Sequence, residues 1–363
     1  MMVLCIILVG VAGGILIWQL LPTSDKQLIK EGIGVAGSKP VSIPGLAKQP
    51  PVPEYQFNQC APNNIDNCCN GVETICDLRV SDVMFASLHN GHSSEDDGFL
   101  VAGNHEFKFE LALQTGYRGL NLDLAMCEGK LLMIHGKCSL GSRDPLIAFQ
   151  NIATFLQNNP RDVLLITMEL VTINHVQVRL NDIFALMQTA GLTKYLYWHT
   201  NPTSNWPTMR QLIEADTRVL IFFYGGPSCR TTSLSCPPGF NEWFYYAAET
   251  EFEFPTVNAL QNISSSCKIT RGAGGYMEFF AVNNFVTNIL PSKTAAAMVN
   301  KQDFLLKHID ACAEMNNMTV NVVFIDFWNI GNLVQVAQEY NTALGNGTFR
   351  QRKHMLRRLL KAR

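Results

Sequence analysis

Charge is scarce in this sequence: Asp, Glu, Lys and Arg make up 16% of its 363 residues, and none of them falls between Met1 and Leu21. Set against 47% hydrophobic residues, the first scarcity excludes global disorder and leaves a globular body with one large core or two smaller ones. The second marks an apolar segment long enough at helical rise to cross a bilayer. Its run is long and "WQLLPTSD" offers no small-x-small site, so residues 1–22 read as an uncleaved signal-anchor, with a cleaved signal as the alternative. Paired C-x-x-C knuckles accompanied by histidines are also missing, which argues against zinc. No glycine-rich phosphate loop follows the first strand pattern, which argues against a doubly wound nucleotide-binding sheet.

Outside the apolar segment stand ten cysteines, Cys60, Cys68, Cys69, Cys76, Cys127, Cys138, Cys229, Cys236, Cys267 and Cys312. An even number in a chain entering the secretory pathway suggests disulfides. The sequons at Asn262, Asn317 and Asn346 agree with that compartment. Net charge is −2, but the stretch Arg350–Arg363 holds seven basic residues and no acid, which leaves 21 bases against 30 acids elsewhere. Such a tail reads either as a contact for anionic lipid headgroups or as a solvated extension, and neither reading requires nucleic acid.

Residues 23–58 are rich in Pro and Gly without periodicity and read as a linker; the folded domain is expected over 59–343, with a basic tail at 344–363. Within the domain, strand patterns at 82–89, 119–124, 130–135, 162–170, 218–225, 276–282 and 320–328 alternate with helical ones at 103–115, 144–158, 175–189 and 300–316. That order argues for a mostly parallel sheet in an α/β fold.

Polar residues choose between an open sheet and a closed one. Side chains alternate along a strand, so Asn121 and Asp123 share a face. The same parity groups Ser87 with His89, Thr167 with Glu169 and Phe324 with Asp326. Each polar residue ends its strand, where a (β/α) barrel carries its chemistry. His89, Asp123, His135, Glu169 and Asp326 are therefore expected at one mouth. One feature strains this expectation: about six residues separate 119–124 from 130–135, fewer than a parallel crossover needs.

Two histidines beside carboxylates suit general acid–base work, one deprotonating an attacking hydroxyl and the other protonating a leaving oxygen. Phosphodiester cleavage is a natural use of such a pair, with a cation to meet the charge on phosphorus. Oxygen donors from Asn90, Asn121, Asp123 and Glu169 would suit a hard cation such as Ca²⁺. Taken singly, a strand-end histidine is more often a satisfied structural residue than a catalyst.

"SLHNGHS", "GYRGLNLDL", "LLMIHGKC" and "FLQNNPRDVLLITME" together resemble the X domain of phosphatidylinositol-specific phospholipase C, in particular the secreted, cysteine-bearing proteins of plants and fungi that contain it. The likeness continues through "YLYWHTNPTSNWPTMRQLIEADTRVLIFF", "FNEWFYYAAET" and "VVFIDFWNIGNLVQVAQEYN", and covers nearly all of 65–342. It implies a distorted (β/α)8 TIM-type barrel that accommodates the short connection after 124, acting on a phospholipid or lipid-linked phosphodiester at a membrane.

By position, the resemblance makes His89 the general base on the inositol 2-hydroxyl, His135 the general acid for the diacylglycerol oxygen and Asp326 the group that orients His89. Asn90, Asp123 and Glu169 match calcium-ligand positions of metal-dependent members. Asn121 departs, since that pattern has a glutamate there, and Asp123 stands where metal-independent members have an arginine. Lys137 would supply charge, or is simply an exposed loop lysine. Glycerophosphodiester phosphodiesterases and sphingomyelinase D are alternatives, although both favour two acids where this chain has Asn121 and Asp123. A membrane-anchored binding ectodomain without catalysis is the third reading. Three disulfides are expected, Cys127–Cys138, Cys69–Cys76 and Cys229–Cys236.

Overall fold

A computed structural model describes residues 60–229, 236–287 and 290–347. The expected signal-anchor, the linker and the basic run at 350–363 lie outside the described residues, as does the last residue of the third sequon. The chain runs through β1 (Phe85–Leu88), α1 (Phe109–Gln114), β2 (Gly119–Cys127), β3 (Lys130–Ile134), β4 (Ser142–Arg143), α2 (Pro145–Asn158), β5 (Leu164–Val171), α3 (Leu180–Thr189), α4 (Met209–Glu214), β6 (Val219–Tyr224) and β7 (Phe240–Glu242). It continues through α5 (Trp243–Tyr246), β8 (Ala247–Thr250), α6 (Val257–Gln261), α7 (Ile263–Ser266), β9 (Ile269–Arg271), β10 (Phe279–Asn283), α8 (Lys293–Val299), α9 (Gln302–Asn316), β11 (Val322–Ile325) and α10 (Leu333–Gly345).

Eight strands run parallel in the order β7-β6-β5-β2-β1-β11-β10-β8. Read around the sheet, this is chain order with one break, the sequence of a (β/α)8 barrel opened between β7 and β8. Only the four residues of α5 join those two strands, too few for a crossover onto a closed sheet. Instead, Trp243 and Tyr246 of α5 turn into the interior. They pack there with Phe85, Leu165, Leu220, Phe222, Phe279, Val322, Phe324 and Trp206, all buried. Trp206 meets Phe279 edge-on at 4.9 Å, and Phe222 meets Trp243 at 5.1 Å. The core fills the lower barrel, so the polar residues at strand ends stand on an aromatic floor. Burial of each such ring contributes about 1.5–3 kcal/mol.

The helices cover the outside with residues spaced three and four apart. Ala148, Phe149, Ile152 and Leu156 of α2 are buried, and Asp144 caps its first turn ahead of Pro145. The helix expected over 103–115 is confined to 109–114. Upstream of it, the carbonyls of Asn104 and His105 accept from Phe327 and Glu95, so their backbone is committed to the loop. Strands β4, β7, β8 and β9, of two to four residues each, are additional to those expected from the sequence.

β3 corrects the sequence expectation. It is not a barrel strand but the return leg of a hairpin, antiparallel to β2 with Leu124 opposite Met133 and Cys127 opposite Lys130. β1 pairs with β2 only at Gly119 and Leu120, which leaves that edge of β2 free above Leu120. β3 folds onto the free edge and carries His135 back down toward the strand ends. Close approach matters at Gly119, where a Cβ would lie 1.8 Å from Ser87 Oγ.

All ten cysteines outside the first segment are paired, as Cys60–Cys68, Cys69–Cys76, Cys127–Cys138, Cys229–Cys236 and Cys267–Cys312. The three expected bridges are present and two more join them. Cys267, His308 and Cys312 have their donor atoms within 4.8 Å of one another, but both thiols are spent in a disulfide.

Candidate active site

His89 follows β1 and Asp326 follows β11, strands paired in register at Leu88 and Ile325. His89 Nδ1–H donates to Asp326 Oδ1 at 2.9 Å, and Asn104 Nδ2 donates to the same oxygen at 2.9 Å. Phe285 stacks on the imidazole with centroids 3.7 Å apart. His105 Nε2–H donates to the His89 carbonyl at 2.7 Å, so the ring is fixed from its backbone, its carboxylate and its face. Its Nε2 is left for the mouth. Both site strands end in left-handed backbone, Asn90 at φ 49° and Phe327 at φ 49°. Asparagine tolerates that region, whereas phenylalanine there is strained, a cost accepted at the turn immediately after Asp326.

His135, one residue beyond β3, donates from Nδ1–H to the Ala102 carbonyl at 2.7 Å and also turns Nε2 inward. Burial lowers its pKa below the ordinary 6.5. Behind the hairpin, buried His92 donates from Nε2–H to the Ile134 carbonyl at 2.7 Å and accepts from the Asp123 N–H at 3.3 Å. That ring ties the two legs of the hairpin together.

Asn121, Asp123 and Glu169 lie on adjoining strands, with Asp123 opposite Glu169 in the β2–β5 register and Glu169 opposite Tyr224 in β5–β6. Burial, and next the Glu169 charge, raise the pKa of Asp123 well above the ordinary carboxylate value. Neither acid forms an ion pair with a described lysine or arginine. Asn121 Oδ1 accepts from the Asn90 backbone N–H at 3.1 Å, and its Nδ2 donates to Tyr224 Oη at 3.2 Å. With the Asn90 amide nitrogen turned to the carboxylate, it donates to both Asp123 oxygens at 3.1 Å and to Asn121 Oδ1 at 3.0 Å. The amide oxygen then lies 3.3 Å from Nε2 of both His89 and His135. Asn90 thus stands between the acidic floor and the two imidazoles.

Sequence reasoning placed His89, His135, Asp326, Asn90, Asn121 and Asp123 together, and these six are connected by contacts; Glu169 joins them through register. Lys137 is exposed on the turn beyond His135. Missed were the supporting groups His92, Asn104, His105 and Phe285, and a second polar cluster on the opposite wall. There Glu249 Oε1 accepts from Asn283 Nδ2 at 2.8 Å and from Arg271, while Glu249 Oε2 accepts from Trp243 Nε1 at 2.8 Å. Arg271 lies over the Phe252 ring at 4.1 Å. The strand-parity rule would have found two of these residues: Glu249 shares a face with Ala247, and Asn283 follows Phe279 and Ala281 one position past the expected strand. No local pattern marks Arg271, which arrives on a three-residue antiparallel strand.

Two histidines and an aspartate at the C-terminal mouth of an opened (β/α)8 barrel define the class of this protein. The family model described as PI-PLC X matches residues 75–341, and the chain belongs to that family. It is 24% identical over 300 residues to an uncharacterized secreted protein of Arthroderma benhamiae; the alignment covers 77% of this chain and spans 65% of that relative's length. Among solved structures, the phosphatidylinositol-specific phospholipase C of Listeria monocytogenes superposes with a TM-score of 0.51 at 13% identity, covering 73% of this chain and 95% of that one. A Staphylococcus aureus phosphatidylinositol-specific phospholipase C gives a TM-score of 0.48 at 11% identity over 74% of this chain and 94% of its own. At 13% identity the likeness to the Listeria monocytogenes structure is one of fold.

Proposed function

We propose that this chain is a phosphodiesterase that cleaves phosphatidylinositol-type lipids, or lipid-linked phosphodiesters of the same chemistry, by histidine acid–base catalysis. The observation that carries the proposal is the convergence of His89 Nε2 and His135 Nε2 on one point while both Nδ1 protons are held elsewhere, by Asp326 and by Ala102. A ring so fixed exchanges protons only at the inward nitrogen.

In this reading, neutral His89 takes the proton of the headgroup hydroxyl beside the phosphate, and that oxygen attacks phosphorus. The bond to the glycerol oxygen breaks, and His135, entering protonated, gives its proton to that oxygen. The products are a cyclic phosphate and diacylglycerol. His89 leaves the step protonated and His135 neutral, and exchange with water restores both. Asp326 stabilises the imidazolium formed on His89 and fixes its orientation.

The donor set beside the histidines suits a hard cation. Two carboxylates lie side by side on adjoining strands, with the Asn121 amide oxygen alongside and no described lysine or arginine paired to them, which is the arrangement a divalent ion relieves; a bound ion would require the Asn90 amide to turn its oxygen back toward Asp123. Asn90, Asn121, Asp123 and Glu169 would hold Ca²⁺, which when bound supplies positive charge to the phosphoryl oxygens. The paired cysteines support a secretory-pathway location, with 1–22 delivering the protein as an anchored ectodomain or, if cleaved, as a secreted one.

The test incubates the purified protein with phosphatidylinositol, glycerophosphodiesters and sphingomyelin, with Ca²⁺ or chelator, and identifies products by mass. A cyclic inositol phosphate is expected. Turnover of glycerophosphodiesters alone, or of nothing, would overturn the proposal.

A further inference from the structure

The barrel is open between β7 and β8, and beside that break lies a cavity of about 310 Å³. Its wall takes Tyr224 from the end of β6, Glu242 from the end of β7, and Phe244 and Tyr245 from α5, the segment that crosses the break. Glycines supply most of the rest, Gly225 and Gly226 after β6 and Gly274 and Gly275 after β9, so backbone comes to the wall with no side chain between. Close packing explains two of them: a Cβ would lie 2.9 Å from the Leu170 carbonyl oxygen at Gly225 and 2.3 Å from that of Tyr245 at Gly275. Gly274 is different. Its φ lies outside the left-handed region, and a Cβ there would meet no heavy atom within 4 Å.

The polar groups of the cavity are few and held in place. Ser228 Oγ stands 2.8 Å and 2.9 Å from the two oxygens of Glu242 and donates between them. The Cys229–Cys236 sulfurs lie within 4.8 Å of the same carboxylate. Tyr224 is shared with the histidine site, since its Oη accepts from Asn121 Nδ2 at 3.2 Å. The Arg271 guanidinium lies 5.3 Å from the Phe244 ring centroid and is not part of the wall, which contains no described lysine or arginine.

A carboxylate with no cation on the wall repels phosphate and carboxylate ligands. The rings alone would accept an apolar group, but a wholly apolar ligand would cover the Glu242 oxygens and the glycine backbone without replacing their hydrogen bonds to water. A ligand with an apolar face and a rim of hydroxyls meets both demands. Its C–H face rests on an aromatic ring while its hydroxyls donate to the carboxylate and to backbone carbonyls. A hexose ring has that form, and the cavity volume is at the small end of ligand sites. We infer that the cavity beside the β7–β8 break is a saccharide subsite that binds a neutral hexose ring through Glu242 and the aromatic wall. Such a sugar comes from one of two sources, a substituent on the headgroup held at the histidines or a separate glycan. The first source rests on the function proposed above.

The test titrates the full chain with methyl α-mannoside, methyl β-glucoside and N-acetylglucosamine and reads binding by saturation-transfer NMR. At least one of the three is expected to bind. Gly274→Leu, which puts a side chain into the open space at the wall, is expected to weaken that binding about tenfold or more. Glu242→Gln is expected to weaken it about threefold or more, and it supplies the reading should Gly274→Leu lower the thermal midpoint. Binding of none of the three, or binding unchanged in both variants, would overturn the inference. So would loss of myo-inositol binding together with sugar binding in Gly274→Leu, which would make the cavity the headgroup's own place.

Turnover separates the two sources. For a sugar borne by the headgroup, Gly274→Leu should lower kcat/KM on phosphatidylinositol carrying a mannose about fivefold or more, while unsubstituted phosphatidylinositol is cleaved as by the parent protein. Unchanged turnover of both lipids, with free-sugar binding lost, assigns the subsite to a separate glycan. If neither lipid is turned over at all, the proposed function falls and the sugar titration alone decides the subsite.

Discussion

The Nε2 atoms of His89 and His135 face one amide oxygen, that of Asn90, from 3.3 Å each, although the two rings arrive on strands of opposite direction. β1 delivers His89 upward at its C-terminal end, and the β2–β3 hairpin folds His135 back to meet it. An oxygen of a bound diester that displaced the Asn90 amide would find one proton acceptor and one donor within reach.

His89→Ala and His135→Ala are each expected to lower turnover by about 10²–10⁴, the range supplied by a positioned acid or base. The two variants should differ in leaving-group dependence. A substrate with a nitrophenolate leaving group needs no proton from His135, so it should restore much of the His135→Ala loss and none of the His89→Ala loss. Product assays on paired substrates measure this, and equal losses on both would remove the acid assignment.

The pH profile follows from the burial of His135. Its acid form must be present for donation, and burial lowers its pKa below 6.5. Accordingly, kcat/KM should fall as pH rises through a value below 6.5, placing the optimum on the acid side of neutrality. A profile still rising above pH 7 would contradict the role.

Asn121→Glu adds a carboxylate beside Asp123 and Glu169. Its Nδ2 contact with Tyr224 is lost, but the charge at a cation site increases. Calcium affinity, read by isothermal titration calorimetry, is expected to rise about tenfold or more. Unchanged affinity would place the cation elsewhere.

Three histidines outside the proposed chemistry should govern acid stability. Burial lowers His92 to about 3, and His105 and His308 to about 4. Between those values and 6.5 the unfolded chain holds protons that the folded chain does not, so stability is full above pH 6.5 and is lost as pH falls. At pH 5 each histidine would cost about 2 kcal/mol. Denaturant midpoints measured from pH 7 to pH 4.5 should decrease steadily, and His308→Gln should flatten the slope.

Replacing Cys127 and Cys138 by serine frees the loop between β2 and the region beyond His135. Stability should fall by about 2–4 kcal/mol, and turnover should fall further than it does for the matching Cys60/Cys68 pair, which lies away from the histidines. Thermal unfolding and turnover of both double variants make the comparison.

Parity within single strands determined much of this site. Asn121 with Asp123, Ser87 with His89 and Phe324 with Asp326 are sorted to one face by a period of two, and "AAET" carries the same signal for Glu249 in a strand too short to recognise. The even count of cysteines likewise announced the disulfides. Tertiary structure decided the direction of β3, because an apolar run of four residues looks the same whether it continues a barrel or returns along its neighbour. It also decided the roles of His92 and His105, which in sequence resemble His89 but lie fully buried and neutral behind it, and it brought Arg271 to Glu249. These depend on which distant backbone atoms come within hydrogen-bonding distance, and local periodicity carries no record of that.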